Sequence, residues 1–113
     1  MHEMSIVESI VDIAEKEARK ANAKTITEIE LDIGTISGIE FEALNFAFLA
    51  LKPKTMLKDA EIKINRIQAI SKCLKCDHEF ETENVFTLCP HCDSYETMAI
   101  QGKEMKVKSI LVD

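Results

Sequence analysis

The sequence predicts an α+β fold: two helices packed on a small three-stranded mixed sheet, with a separate cysteine-bearing lobe inserted before the last strand. Three observations lead there. Apolar residues recur three and four apart in two stretches, and they alternate with polar residues in three others. All four cysteines of the 113-residue chain fall between Cys73 and Cys92. An apolar content of 46% over this length supports one modest core and not two, so the lobe needs something besides apolar burial to hold it together.

The first helix is expected from Met4 to about Ala21. Ile6, Val7, Ile10, Val11, Ala14, Ala18 and Ala21 make one stripe, and Glu8, Asp12, Glu15, Lys16, Arg19 and Lys20 fill the opposite side. Acids gather toward its start and bases toward its end, as the helix dipole favours. After a turn at Asn22 and Lys24, Ile29, Leu31 and Ile33 alternate with Glu28, Glu30 and Asp32, which reads as a strand with one buried face, ended by Gly34. A second helix is expected over Ile39 to Leu51, stopped by Pro53, with Ser37 as its N-cap and Glu40 closing a capping box. Phe41, Phe46 and Phe48 lie on it, and it is expected to supply most of the core volume.

Ala60, Ile62 and Ile64 alternate with Glu61, Lys63 and Asn65 in a second strand whose pattern slips near Arg66 and Ile67. A strand, helix, strand unit of this length should lay its two strands parallel through a right-handed crossover. The last strand follows Gly102, with Met105, Val107 and Leu111 alternating with Lys106, Lys108 and Ile110. Its return to the first sheet would make one domain discontinuous, residues 1–70 plus 104–113, around a lobe of residues 71–103. The order of the three strands does not follow from the sequence.

Cys73, Cys76, Cys89 and Cys92 form two Cys-x-x-Cys pairs separated by twelve residues. Each pair fits a tight turn that aims both sulfurs at one ion, and two such turns complete a tetrahedral zinc-ribbon-like site with Zn–S near ~2.3 Å. Lys75, Asp77, Pro90 and Asp93 lie where those turns must bend. A disulfide framework would need an exported chain, and no signal peptide precedes the first helix. A thioredoxin-like motif uses one such pair opening a helix, and here there are two pairs in strand-like text. His78 and His91 stand beside the cysteines, and supporting or surface roles are expected for both. Four sulfurs leave no position open for a substrate, so this Zn2+ is expected to be structural.

Charge narrows the function classes. The net charge is −6, and between Lys72 and Thr97 two lysines face six acids. Such a ribbon would repel phosphates, which argues against a nucleic-acid adaptor. No apolar run approaches the roughly 20 residues of a membrane span. Reduced thiols and the lack of an export signal point to the cytoplasm. Three scattered glycines form no phosphate loop, and no nucleophile and base pair is left once the cysteines hold metal, so no enzyme is expected. The acid clusters, Glu40 with Glu42 and Glu15 with Glu17, read as solvated helix faces.

One further signal is the start, Met1-His2-Glu3. The terminal amine, the deprotonated amide of His2 and its imidazole can close a five-membered and then a six-membered chelate on one ion. A fourth ligand from Glu3 or from a partner would complete a nearly planar set, which selects Ni(II) or Cu(II) over zinc. The site needs Met1 retained, which the bulk of His2 favours, and its need for deprotonated donors weakens it in acid. The plain alternative is an exposed histidine at a frayed end.

Met1-His2-Glu3 opening an amphipathic helix, a strand ending in Gly34, the pairs Cys73-x-x-Cys76 and Cys89-Pro90-x-Cys92, and Gly102-x-Glu104-Met105 leading into the last strand together resemble the HypA/HybF family of nickel metallochaperones. The similarity covers essentially the whole chain. It implies a two-lobed protein that carries Ni2+ for maturation of [NiFe]-hydrogenase, and in some relatives of urease. It also implies partnership with a nickel-dependent maturation GTPase and the [NiFe]-hydrogenase large subunit. The nickel residues it implies are Met1, His2 and Glu3, with Glu40 as a further candidate, and the zinc residues are the four cysteines. The rival from the residues alone is a zinc-stabilised protein-interaction module without nickel transfer; on either reading the chain is a monomer or a homodimer.

Overall fold

The computed structural model describes residues 3–113; Met1 and His2, both named as nickel ligands, lie outside the described residues. Helix α1 spans Glu3–Lys20, and its stripe of Val7, Ile10, Val11, Ala14 and Ala18 is buried, as the spacing predicts. It ends on Asn22, which takes a left-handed conformation (φ 56°). That turn lets the amides of Asn22 and Ala23 donate to the carbonyls of Arg19 and Ala18 at 3.0 and 2.9 Å. These bonds satisfy carbonyls that the helix end would otherwise leave without partners.

Strand β1 (Ile26–Gly34) buries Ile29, Leu31 and Ile33 and keeps Glu28, Glu30 and Asp32 partly exposed on its other face. Helix α2 runs over Phe41–Leu51 and packs against α1. A 3-10 turn at Lys52–Lys54 follows, where Pro53 prevents further α-helix. β2 is Glu61–Ile67 and β6 is Met105–Val112. Strand order is β2-β1-β6, so the first strand in the chain is the central one.

The side-chain partners give the directions. Going up β1, Glu28 meets Lys63 at 2.6 Å, and Glu30 and Asp32 meet Asn65 at 2.7 and 2.9 Å, so β2 is parallel to β1. Thr27 bonds the carbonyl of Leu111, and Glu30 meets Lys108 at 3.4 Å, so β6 runs antiparallel. The two helices and this mixed sheet make up the predicted α+β architecture.

Two local expectations fail. Ser37 does not cap α2; the helix begins at Phe41, its N-cap position is Glu40, and no side-chain cap bond is made there. Residues 35–38 are instead a turn and bend that contains Gly38 at φ 87°, which carries the chain past the position a capping serine would need. The core role of the phenylalanines also narrows. Phe48 is 2% exposed while Phe46 is 70% exposed, because the two lie two positions apart, with one residue between them, and so point to different sides of the helix.

The chain divides into two compact units. One holds the residues through Asp32, Ile39–Asn65 and Lys106–Asp113; the other holds Ile33–Gly38 and Arg66–Met105. The second unit has its own three-stranded sheet of β3 (Ile70–Cys73), β4 (Glu79–Glu81) and β5 (Thr97–Gln101), in the order β4-β3-β5 with both pairs antiparallel. Residues 33–38 belong to it through backbone bonds: Gly34 N–H donates to Glu104 at 2.7 Å, Thr35 N–H to Ile67 at 3.0 Å and Ile36 N–H to Gly102 at 2.9 Å. The approach is so close that a Cβ on Gly34 would overlap the backbone of Gly102.

Candidate metal centre

The four cysteines converge. Among the described residues they form a cluster whose sulfurs all lie within 4.8 Å of one another, and no histidine, aspartate or glutamate joins it. Cys73 Sγ is 3.6 Å from Cys92 Sγ, and Cys76 Sγ is 3.7 Å from Cys89 Sγ. A tetrahedron with ligands at ~2.3 Å from its centre has edges of about 3.8 Å, so these spacings suit a zinc ion.

The two halves of the cluster are built alike. After the first pair, Asp77 turns left-handed (φ 61°) and its amide donates to the Cys73 carbonyl at 2.9 Å. After the second pair, Asp93 does the same (φ 59°), donating to the Cys89 carbonyl at 2.8 Å. Cys73 N–H then donates to His78, and Cys89 N–H to Ser94, at 2.9 and 3.0 Å. Aspartate tolerates the left-handed region better than bulkier residues, which gives a reason for its presence in both turns. Backbone amides also face the sulfurs: Cys76 N–H to Cys73 Sγ at 3.5 Å and His91 N–H to Cys89 Sγ at 3.4 Å. Such donors stabilise thiolate charge.

In the absence of a cation the thiols cannot all ionise. The amide of Cys76 draws Cys73 down to about 7, against the effect of its burial. At Cys76 the amide of His78 pulls downward, but burial and the neighbouring sulfurs outweigh it and push the thiol up to about 12. Cys92 is likewise raised: the Ser94 amide favours its thiolate, yet the Cys73 sulfur and burial prevail. One group is poised to ionise and its neighbours resist adding like charge, an opposition that a divalent ion at the centre would remove.

His78 and His91 lie on the surface, with ring centroids 5.3 Å apart, and His78 also stacks on Phe80 at 6.0 Å. Of the residues named for nickel, Glu3 begins α1 and Glu40 is the exposed N-cap residue of α2. The sequence placed Asp77 and Asp93 where the turns must bend, and both take the left-handed conformation there; that the two turns share the same backbone bonds was not foreseen.

A small α+β protein with a ribbon of four converging thiols is the class that this fold and site define. The chain belongs to the HypA family: the family model described as hydrogenase/urease nickel incorporation, metallochaperone, hypA matches residues 1–112. Among similar proteins, the hydrogenase maturation factor HypA of Francisella philomiragia is 38% identical over 111 residues, 98% of each chain. That of Aquifex aeolicus is 39% identical over 110 residues, 97% of this chain and 96% of its own. The solution structure of the Ni metallochaperone HypA from Helicobacter pylori superposes with a TM-score of 0.70 at 28% identity, covering 99% of this chain and 97% of that one. The resemblance drawn from the sequence is thereby borne out, and with it a place among nickel-incorporation proteins for hydrogenase and urease.

Proposed function

We propose that the protein binds Ni(II) at its N-terminal end and hands it to a [NiFe]-hydrogenase under maturation, without catalysing a reaction itself. The observation that carries this is the match of residues 1–112 to a nickel-incorporation family, combined with the start Met1-His2-Glu3. The amine of Met1 and the amide and imidazole nitrogens of His2 would hold the cargo in a plane, with Glu3 at the fourth position and Glu40 as a further oxygen donor. A site made largely of terminal groups can release its ion by ligand exchange when a partner offers better donors.

Cys73, Cys76, Cys89 and Cys92 would hold a resident Zn(II) by four thiolates. What that ion supplies is cross-linking of the two cysteine turns and relief of repulsion among their charges. Nickel is assigned to the domain expected as residues 1–70 plus 104–113 and zinc to that expected as 71–103, with residues 33–38, 66–70 and 104–105 grouped with the zinc lobe by their contacts. The partners are a nickel-dependent maturation GTPase and the hydrogenase large subunit, in the reducing cytoplasm, where the thiols stay free for metal.

Calorimetric titration of the untagged protein with Ni(II) tests the proposal. His2→Ala, or one residue added before Met1, is expected to abolish binding while zinc content and fold persist. Nickel affinity that survives either change rules out the terminal site and favours the zinc-stabilised interaction module.

A further inference from the structure

The four cysteines are not equally placed. Cys73 and Cys89, the first of each pair, are fully buried, whereas Cys76 and Cys92, the second of each, are exposed. The exposed two share a cleft of about 440 Å³ whose other walls include Lys75, Asp93, Ser94 and Glu96. One side of the cluster is therefore open to small molecules, and the other is closed by the fold. The sulfur contacts between the two turns follow the same division. Cys73 Sγ lies 3.6 Å from Cys92 Sγ and Cys76 Sγ lies 3.7 Å from Cys89 Sγ, so each contact pairs one buried residue with one exposed residue.

A thiolate attacks a disulfide at sulfur, and the mixed disulfide it forms is opened by a second thiolate within reach. When a divalent ion holds all four sulfurs as thiolates, acidity no longer separates them and access does. The nucleophile that meets a reagent first is then Cys76 or Cys92. The sulfur placed to finish the exchange is Cys89 for the one and Cys73 for the other. Charge at the cleft selects among reagents. Its walls carry one cation, Lys75, against Asp93 and Glu96, and four thiolates on one divalent ion leave two more negative charges. A cationic disulfide is favoured there over an anionic one.

We propose that the cluster is a thiol switch opened through this cleft, in which Cys76 and Cys92 take small disulfides and Cys89 and Cys73 resolve them across the turns. Cys76 Sγ bonds to one sulfur of the reagent and expels the other half as a thiolate. Cys89 Sγ then attacks Cys76 Sγ and expels the second half. The two cysteines are oxidised by two electrons, and one small disulfide is reduced to two thiolates. Cys92 and Cys73 do the same with a second equivalent. Each round removes two of the four ligands, and a zinc ion held by them is released. The release rests on the reading of the cluster as a zinc site; the sulfur pairing does not.

The test uses the full chain loaded with Zn(II), its metal content measured before oxidation. A chain that holds no zinc fails the zinc reading and the switch with it; a chain that holds zinc but pairs its sulfurs otherwise fails the switch alone. Substoichiometric iodoacetamide, mapped by peptide mass spectrometry, should label Cys76 and Cys92 several-fold faster than Cys73 and Cys89. Cystamine, a dicationic disulfide, should release zinc to a chromogenic chelator faster than dithiodiglycolate, a dianion, and added salt should narrow the gap. After one equivalent of cystamine, fragment-ion mass spectrometry should find Cys76 joined to Cys89 and Cys92 joined to Cys73. Disulfides within a pair, Cys73 to Cys76 or Cys89 to Cys92, would overturn the switch. So would equal labelling of the four cysteines, or faster release by the anion.

Discussion

The two units of this protein are held by different forces. The first buries Val7, Val11, Ala14, Leu31, Leu44 and Phe48 between two helices and a sheet, and its cohesion is the removal of apolar surface from water. Among the described residues of the second, the buried apolar groups are few, chiefly Ile33, Ala69 and the sulfurs of Cys73 and Cys89. Its order rests on backbone hydrogen bonds and on the sulfur cluster. A unit of this second kind is expected to depend on a metal held by its cysteines, and the first to hold its shape without one.

Removing the ion should therefore break the comparison most sharply. Structural zinc contributes on the order of 10 kcal/mol in small domains, so chelation or Cys89→Ser is expected to unfold the second unit outright. Residue-resolved hydrogen exchange should then show loss of protection in β3, β4 and β5 with α1, α2 and β1 still protected. Equal loss in both units would mean that the first has no independent cohesion.

Next in size is the converse change. Phe48→Ala removes the largest fully buried side chain of the first unit and should cost about 3–5 kcal/mol in denaturant unfolding of that unit. The metal stoichiometry of the protein should stay as it was. A smaller effect is expected inside the second unit from Gly102→Ala. Gly102 has φ 113°, and a Cβ there would meet the Cα of Ala69 at 2.4 Å. Backbone strain of this kind costs on the order of 1–3 kcal/mol, to be read as a raised chelator sensitivity of the ribbon.

The smallest predicted effect is electrostatic and belongs to the first unit. The side-chain amide of Asn65, and then Lys108, hold Glu30 below the ordinary glutamate value. A lowered carboxyl stabilises the folded form at pH above its unfolded value, and that contribution disappears as pH falls through the folded value. Denaturant midpoints should thus decline on acidification more steeply in the wild type than in Asn65→Ala. Parallel pH profiles would show that this network adds nothing measurable.

Much of this was legible in the residues. The stripe of α1, the alternation of β1 and the stop at Pro53 are local patterns, each settled by groups a few positions apart. The cysteine spacing announced the cluster, because two short turns leave few ways to place four sulfurs. The capping box at Ser37 and Glu40 misled, because a good local match yielded to the turn around Gly38 and to the bonds that draw residues 33–38 into the second unit. Phe46 misled because it was counted for its volume without regard to its phase, and Phe48 holds the buried phase.

By itself the sequence determined the fold class, the grouping of four cysteines in a cluster that could hold a metal, and the likeness to nickel-handling proteins. Tertiary structure alone decided that β1 is the central strand and that the two cysteine turns share a left-handed aspartate and the same pair of backbone bonds. The physical reason is range. Periodicity and short chelating turns are fixed within a few residues, whereas strand order and cleft walls depend on which distant segments find the lowest combined free energy of burial, hydrogen bonding and loop closure.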